Sequence, residues 1–495
     1  MRFLLIAVAA LGLAGCSSLA PSWPEPATSP SAEVPWIPPP GAAQPASPPK
    51  TAEIPEELRA HASELTLTQV VDVALRNSPF TREAWWRARA AAAEVAIRHA
   101  TLAPEIDVEA DLRRTRQAGQ GGETVFQQTT WGPAATINYL LFDFGGRQAD
   151  VESARQSLYA AGFAHNQAIQ DVVLSVERAY YQYQGTKALL EAERANLRDV
   201  QTNLQAADER RRAGVATVTD VLQSRTAVAQ AQLNIESLEG QLLAVRGSLA
   251  AAMGLPANLP YDVGPLPAEI QPRQTGEAVE ELIARALGER PDLLAARADV
   301  QAAASDVASL RADLLPRLFL QGTVSRQAFG SSVGSANNLY SGTLTLSYPL
   351  FDGGGRRARV RQAEADRETA RSRAEGLEQA AITQVWTDYA AVRTAAQRIE
   401  TSRTLLASAE ESERAASERY RAGVGSSLDL LTAQSTLAAA RAQEVQARAD
   451  WLLSLAQLAH DTGALGPAPA AASTSPSSSS NSSGIPAPAA GRGQP

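Results

Sequence analysis

The chain has 495 residues, of which 44% are hydrophobic and 20% charged, and its formal net charge is −8. This acidic balance argues against a nucleic-acid partner, which would require a basic face. The single cysteine excludes an internal disulfide framework, so the folded part has to be stabilised by packing alone.

The N-terminus has the pattern of a bacterial signal peptide. Arg2 supplies a positive charge, and the apolar run Phe3–Leu13 is too short to span a bilayer as a helix, which takes roughly 20 residues. The tetrapeptide Leu13–Cys16 resembles a lipobox, so we expect cleavage before Cys16 and lipidation of that residue. Ser17 implies sorting to the outer membrane, as in lipoproteins of this kind. Each buried acyl CH₂ contributes about 0.8 kcal/mol to such an anchor.

Composition divides the chain into segments. Proline-rich sequence behind the lipidated cysteine predicts an extended linker. The C-terminus is rich in serine, proline and alanine and cannot bury a core, so it predicts a disordered tail. The expected division is a signal peptide at 1–15, the linker at 16–56, structural repeats at 57–254 and 276–462, an inter-repeat linker at 255–275, and the tail at 463–495.

Helical patterns dominate both repeats. Leu67–Leu102 predicts a helix interrupted before Pro79, because proline disfavours the helical state in the preceding residue. Arg147–Arg212 contains no proline and predicts a helix about 100 Å long at ~1.5 Å per residue. Val218–Met253 predicts a further helix. The second repeat returns these patterns at 278–314, 356–421 and 427–461. Long alanine-rich helices need neighbours for their apolar stripes, which predicts a coiled-coil array.

Each repeat also contains two segments with strand-like alternation. In 105–114, apolar residues from Ile106 to Leu112 alternate with charged residues, and a period of two is typical of a strand. The partner segment is 135–141. The equivalent segments of the second repeat are 318–325 and 343–350.

Aromatic residues bracket the apolar parity of these strands: Trp131, Tyr139, Tyr340 and Tyr348. The separation of Trp131 and Tyr139 corresponds to about 26 Å along a strand. Outer-membrane barrels carry an apolar band ~25 Å tall between two aromatic girdles. A soluble sheet with one buried face shows the same alternation, but the outer-membrane targeting signal favours a face toward lipid.

Four strands cannot close into a barrel with a lumen, which takes about eight. An open sheet edge in lipid leaves backbone groups unpaired. If the strands span the membrane, the protein must therefore be an oligomer. A dimer and a trimer both satisfy this requirement, and the strand pattern does not choose between them.

The two repeats share motifs at a fixed offset. The segment Tyr139–Arg147 returns as Tyr348–Arg356 (351 − 142 = 209), and Arg212-Ala-Gly-Val215 returns as Arg421-Ala-Gly-Val424 (423 − 214 = 209). The first motif follows the second strand of each repeat, and the second lies between long helices. A repeat of this length indicates a duplicated supersecondary unit rather than a solenoid.

The lipobox, the duplication, the two Phe-Asp-x-Gly-Gly-Arg bends and the two Arg-Ala-Gly-Val tips together resemble the TolC-type outer membrane efflux proteins. The lipidated branch of that family is the closest match, over roughly residues 57–462. The resemblance implies an α+β membrane protein: mainly a long α-helical coiled-coil barrel, with four strands per chain contributed to a trimeric transmembrane β-barrel, and an internal two-fold repeat.

The same resemblance implies a function. A homotrimer in outer-membrane lipid would passively export drugs, other small amphiphiles or metal ions. It would work with a periplasmic membrane-fusion adaptor and an inner-membrane efflux pump. A periplasmic coiled-coil scaffold or adaptor lipoprotein without a pore is the alternative. No nucleophile–base pair and no cofactor motif is visible, so we expect neither enzymatic activity nor a cofactor.

The tips have a structural and a functional interpretation, and the two can coexist. Thr217–Asp220 and Ser426–Asp429 each have the pattern of a helix N-cap, which accounts for both acids structurally. The resemblance also implies an acidic entrance gate at Asp220, Tyr420 and Asp429, so that Asp429→Ala, alone or with Asp220→Ala, would open it. Gly425 stands where the family has a gating arginine. The resemblance further implies adaptor docking at Arg212, Gly214, Val215, Arg421, Gly423 and Val424.

The bends and the histidines have simpler interpretations. Strand-to-helix bends are expected at Asp143, Gly145, Gly146, Asp352, Gly354 and Gly355, where glycine permits positive φ and the aspartate caps the next helix. A phosphate-binding loop would need a Gly-Lys-Ser/Thr ending, which both copies lack. The four histidines, His61, His99, His165 and His460, show no metal-ligand spacing and no neighbouring acid cluster, so we expect them to be solvated or packed.

Overall fold

The computed structural model describes residues 64–118, 125–267, 278–330 and 336–465. Within these ranges the chain forms eight helices and four strands. In chain order they are α1 (Leu67–Asn77), α2 (Pro79–Ala100), β1 (Glu105–Ala118), β2 (Val125–Phe142), α3 (Gly146–Arg212), α4 (Val218–Ala252), α5 (Val279–Glu289), α6 (Pro291–Ala312), β3 (Arg317–Phe329), β4 (Ala336–Ser347), α7 (Gly355–Arg421) and α8 (Ser427–Asp461). The predicted signal peptide, Cys16 and nearly all of the C-terminal tail lie outside the described residues.

The duplication is confirmed at the level of whole helices. The paired helices α1 and α5 each have 11 residues, and α2 and α6 each have 22. The long helices α3 and α7 both have 67 residues, and α4 and α8 both have 35. The predicted segment 278–314 is two helices, because Pro291 begins α6 as Pro79 begins α2, and the residue before each proline is extended.

The helices pack laterally along their length. Helix α3 contacts α2, α4, α6 and α8, and α7 contacts α5, α6 and α8. The buried residues are mostly small, and one cluster joins Leu282 and Ala286 of α5 to Val385 and Val392 of α7 and Leu458 of α8. Since α8 also packs on α3, the two repeats share one helical layer. None of the helices in the described part of the chain has both the length and the apolar character required to cross a membrane.

The inter-repeat linker runs against α3 for as far as it is described. Val263 forms a parallel bridge with Leu65, next to α1. The Asp262 carboxylate accepts hydrogen bonds from Tyr183 Oη at 3.0 Å and from Lys187 Nζ at 2.7 Å. These contacts fix the end of the first repeat to the middle of its long helix.

The four strands form one antiparallel sheet in the order β1-β2-β3-β4. Within the described residues, β1 and β4 each pair on one side, so both edges of the sheet are open. Strand β4 begins earlier than the predicted segment 343–350, at Ala336, and ends three residues before its predicted end, at Ser347. Pro349 has no N–H to donate to a ladder, which explains why Tyr348 and Leu350 lie beyond the strand.

The apolar residues, which occupy every second position of the four strands, form one continuous face of the sheet. The register aligns Val108, Ala135, Val324 and Tyr340 across the four strands, with the other apolar rows parallel to this one. This face is uncovered by the described chain, and Val108 and Tyr340 are 80% and 88% exposed. The opposite face is polar, and Thr136 and Thr323 approach each other across it. Within the described residues nothing buries this face, which disfavours the alternative of a soluble sheet with one buried face.

Candidate functional site

The hairpins α3–α4 and α7–α8 end in tips of the same geometry. Gly214 has φ 78° and Gly423 has φ 79°, the left-handed conformation that glycine adopts without steric penalty. The valine after each glycine, Val215 and Val424, is exposed. The final arginines of the two long helices, Arg212 and Arg421, are exposed as well. Each tip thus presents an apolar side chain beside a basic one.

Both expected N-caps are formed. In the first tip, Thr217 N donates to Asp220 Oδ2 at 2.8 Å, and Asp220 N donates to Thr217 Oγ1 at 3.3 Å. In the second tip, Ser426 N donates to Asp429 Oδ2 at 3.4 Å, and Asp429 N donates to Ser426 Oγ at 3.1 Å. Each aspartate satisfies a free amide at a helix N-terminus.

Asp220 has a second role that Asp429 lacks in the described residues. Ser427 Oγ, at the start of α8, donates a short hydrogen bond to Asp220 Oδ1. This bond, followed by those from Thr217, lowers the pKa of Asp220. Asp220 therefore joins the two hairpins, whereas Asp429 is exposed and bonded within its own cap.

Arg210 makes a second side-chain contact between the two tips. Its Nη1 donates to the backbone oxygen of Tyr420 at 2.6 Å, and its Cζ lies 4.5 Å from the centroid of the Tyr420 ring. Tyr420 is 7% exposed. Arg210 is the first of three consecutive arginines, Arg210–Arg212, and no local sequence signal distinguishes it from the other two.

Any side chain in place of Gly425 would require the neighbouring turn to shift by a few tenths of an ångström. A Cβ there would lie 3.0 Å from Tyr420 N and 3.1 Å from Arg419 Cβ, tighter than ordinary contact. The cation next to Tyr420 is instead provided by Arg210 from the other hairpin.

The strand-to-helix bends are nearly identical. Asp143 accepts from Gly145 N and from Arg147 N, the latter at 2.8 Å, and Asp352 accepts from Gly354 N at 3.0 Å and from the following arginine. Gly145 and Gly354 both have φ 86°. A Cβ on Gly146 would press on Ala312 at 3.3 Å, whereas Gly355 has more room.

Electrostatics at the bends favours ionised carboxylates. Burial would raise the pKa of Asp143, but hydrogen bonds from Arg147 and its charge outweigh burial and lower it. The backbone N–H of Arg356 lowers the pKa of Asp352. The bends therefore hold the strands at a fixed angle to α3 and α7 over the whole neutral pH range.

The expected aromatic girdle is staggered. Trp131 lies opposite Leu112 and Ala328, and of the four aromatic residues it is the one nearest the Ala118–Val125 end of the sheet. Tyr340 is opposite Val324, four residues nearer the helices (328 − 324 = 4). Tyr139 and Tyr348 lie at the helix-proximal end. Strands of outer-membrane barrels are tilted by about 35–45°, which shifts neighbouring strands along the membrane normal in this way.

The expectation that no acid cluster lies beside a histidine is wrong for His460. Its Nδ1 lies 2.7 Å from Asp461 Oδ1, and its Nε2 lies 2.9 Å from Asp171 Oδ1 of α3. Burial lowers the pKa of His460, but both carboxylates outweigh it and raise the pKa. Asp171 comes from 289 residues away in sequence, which is why spacing did not reveal it. Among the described residues, no group of His, Cys, Asp and Glu could hold a metal ion.

Asp388 of α7 completes this cluster. Its Oδ2 is buried without a hydrogen-bond partner in the described residues. Burial, and then the neighbouring Asp461, raise the pKa of Asp388 to about 7. Burial would raise the pKa of Asp461 too, but His460 and Asp388 outweigh it and lower the pKa. At acidic and near-neutral pH, Asp388 and Asp461 therefore hold a proton between α7 and α8.

Asp388→Asn is expected to make stability less dependent on pH. The native state holds the Asp388 proton up to a pKa of about 7, whereas the unfolded state releases it near 3.8. Wild type therefore loses stability as pH rises through that window. The free energy of unfolding of the variant, relative to that of wild type, should rise between these two pH values. Above them the difference should stay constant, at about 1 kcal/mol after allowing for solvent screening. Thermal unfolding in detergent at several pH values measures the difference, and parallel curves would contradict it.

Comparisons with known proteins point to one family. A sequence profile described as outer membrane efflux protein matches residues 70–255 and 282–464. Protein CyaE of Bordetella pertussis is 30% identical, over 77% of this chain and 80% of CyaE. The pyoverdine export outer membrane protein OpmQ of Pseudomonas putida is 30% identical, over 92% of this chain and 95% of OpmQ. The outer-membrane channel OprN has a similar structure, with a TM-score of 0.73 at 24% identity over 80% of this chain and 90% of OprN.

Proposed function

Because the chain belongs to the outer membrane efflux protein family, we propose that three copies form the outer-membrane channel of a tripartite efflux system. Efflux through such a channel is passive transport, not enzymatic catalysis. A periplasmic membrane-fusion adaptor and an inner-membrane pump would deliver the cargo and the energy. OpmQ is named for pyoverdine export; here we propose small molecules, namely drugs, amphiphiles or metal ions.

The observation that carries this proposal is the uncovered apolar face on a sheet with two open edges. Backbone groups at an edge cannot remain unpaired in lipid. Pairing β4 of one copy with β1 of the next satisfies both edges and, in a trimer, closes a twelve-stranded barrel. The apolar rows then face lipid, and the polar rows face water. On β1 the polar row is acidic, with Asp107, Glu109 and Asp111, and carboxylates along a pore favour cations.

The helical tips form the periplasmic entrance in this proposal. Asp220, Tyr420 and Asp429 belong to the gate, with three copies of each around the axis. The negative charge of such a ring of acids attracts cations. Arg212, Gly214 and Val215, with Arg421, Gly423 and Val424 in the second tip, dock the adaptor. The matching turn geometry supports two equivalent docking points per chain.

The division of the chain and its anchor belong to the same proposal. The two matched segments, 70–255 and 282–464, support repeats at 57–254 and 276–462 with a linker between them. Cys16 carries acyl chains, including palmitate, in the outer membrane after removal of residues 1–15. The mass of the mature N-terminal peptide checks this modification.

Planar-bilayer conductance of the purified protein, together with its mass in detergent, tests the channel. We expect discrete conductance steps and the mass of three chains. A monomer in plain buffer without conductance would contradict the channel and leave the coiled-coil scaffold as the better interpretation.

A further inference from the structure

Three arginines stand at the end of the apolar sheet face. Arg114 and Arg116 continue the lipid-facing parity of β1 beyond Leu112, and Arg326 continues that of β3 beyond Val324. All three are exposed. None has a hydrogen-bond or ion-pair partner among the described residues. They form a basic group on a protein whose net charge is −8, so overall composition does not explain them.

The connectivity places this group at the outer end of the sheet. At the other end, β1 follows α2 and β2 continues into α3. The arginines lie toward the β1–β2 turn instead. In the proposed channel the helices extend into the periplasm, so this end meets the outer leaflet of the outer membrane. The present inference rests on that proposed function.

On β1 the depth of Arg114 matches a lipid headgroup rather than hydrocarbon, and on β3 Arg326 lies two residues beyond Val324, which is opposite the aromatic Tyr340. Leu112 lies opposite Trp131, and aromatic residues of this kind sit at the membrane interface. Arg114 is two residues further along the strand, about 6.6 Å. The register separates Arg114 from Arg326 by two strands and four residues, roughly 16 Å between Cα atoms. Trp131 lies between them.

Close backbone packing fixes the position of Arg326. A Cβ on Gly132 of β2 would stand 1.8 Å from the backbone oxygen of Arg326. Gly132 has φ 155°, and no larger residue fits there. The Arg326 backbone is therefore held tightly against β2, while its side chain is exposed.

We propose that Arg114, Arg116 and Arg326 form a binding surface for the phosphates of the glycolipid in the outer leaflet, lipid A. Guanidinium groups bind phosphate through paired, charge-assisted hydrogen bonds. Two separated arginine positions around Trp131 suit a sugar headgroup that carries a phosphate at each end. Three copies present nine such arginines around the barrel, and neighbouring lipids are bound to each chain.

The test compares the triple variant Arg114→Gln, Arg116→Gln, Arg326→Gln with wild type and with Arg113→Gln. Arg113 is the matched control, because it lies between two of the arginines in sequence but on the opposite, polar face. Native mass spectrometry of the detergent-purified oligomer measures binding of bisphosphorylated lipid A, dephosphorylated lipid A and phosphatidylglycerol. The same spectra report whether each variant has assembled.

We expect the triple variant to bind bisphosphorylated lipid A about ten-fold more weakly than wild type and Arg113→Gln. Dephosphorylated lipid A should bind all three equally weakly. Unchanged binding by an assembled triple variant would overturn the proposal. An equal loss of phosphatidylglycerol binding would overturn the assignment to lipid A in favour of general phosphate contacts.

Bilayer conductance of the same preparations distinguishes a failure of this inference from a failure of the proposed channel function. If wild type and triple variant both conduct while lipid A binding is unchanged, the arginine surface fails and the channel stands. If wild type neither assembles nor conducts, both the proposed channel and the arginine surface that depends on it are contradicted.

Discussion

Ala135→Arg is expected to keep the protein out of the outer membrane. Ala135 lies in β2, four residues from both Trp131 and Tyr139 (135 − 131 = 139 − 135 = 4), and its side chain is exposed. An arginine facing lipid near the bilayer midplane destabilises a barrel by about 2–4 kcal/mol. Three copies per barrel multiply that penalty. The sheet edges are paired between copies only in the inserted barrel. A variant that does not insert should therefore not form the oligomer either.

Thr136→Arg is the matched control for this prediction. Thr136 is the next residue, lies opposite Asp107 and Thr323 and faces the polar side of the sheet. A water-filled lumen solvates the new charge, so insertion should be retained and cation conductance reduced. Fractionation of membranes, followed by the mass of the extracted protein, measures both variants. Normal insertion of Ala135→Arg would mean that this face does not contact lipid.

The helices and strands could be predicted because their signals are local. The pattern Arg147–Arg212 predicted α3 to within one residue, since no proline interrupts it and glycines flank both ends. Alternation likewise located four strands. The end of β4 was missed, although Pro349 carried the information, because the alternation continues through Tyr348 and Leu350 after the hydrogen-bonded ladder has stopped.

The tips show where local signals stop. A capping box lies within four residues of sequence, so both caps at Thr217 and Ser426 could be predicted. The contacts between hairpins could not. Ser427 is 207 residues from Asp220, and Tyr420 is 210 from Arg210. Which of the three adjacent arginines reaches Tyr420 depends on how the two hairpins rotate against each other, and one sequence does not record that rotation.

The double variant Arg210→Ala, Ser427→Ala is expected to open the periplasmic entrance. It removes both contacts between the tips while leaving the Asp220 cap intact, because Ser427 is not part of that cap. A partly buried cation–π contact and a hydrogen bond together contribute about 2 kcal/mol per chain. Loss in three chains should shift the tips apart, and single-channel conductance should rise several-fold.

Two controls separate this mechanism from its competitors. Arg211→Ala removes an adjacent charge from the same helix end and should leave conductance unchanged. Asp429→Ala removes a cap, at about 1 kcal/mol, and one acid from the proposed ring, but keeps both contacts between hairpins. If the contacts hold the entrance, the double variant opens it more than Asp429→Ala does. If Asp429→Ala opens it and the double variant does not, repulsion and solvation within the acidic ring control the entrance, and the contacts seen between Arg210 and Tyr420 and between Ser427 and Asp220 only stabilise the hairpins.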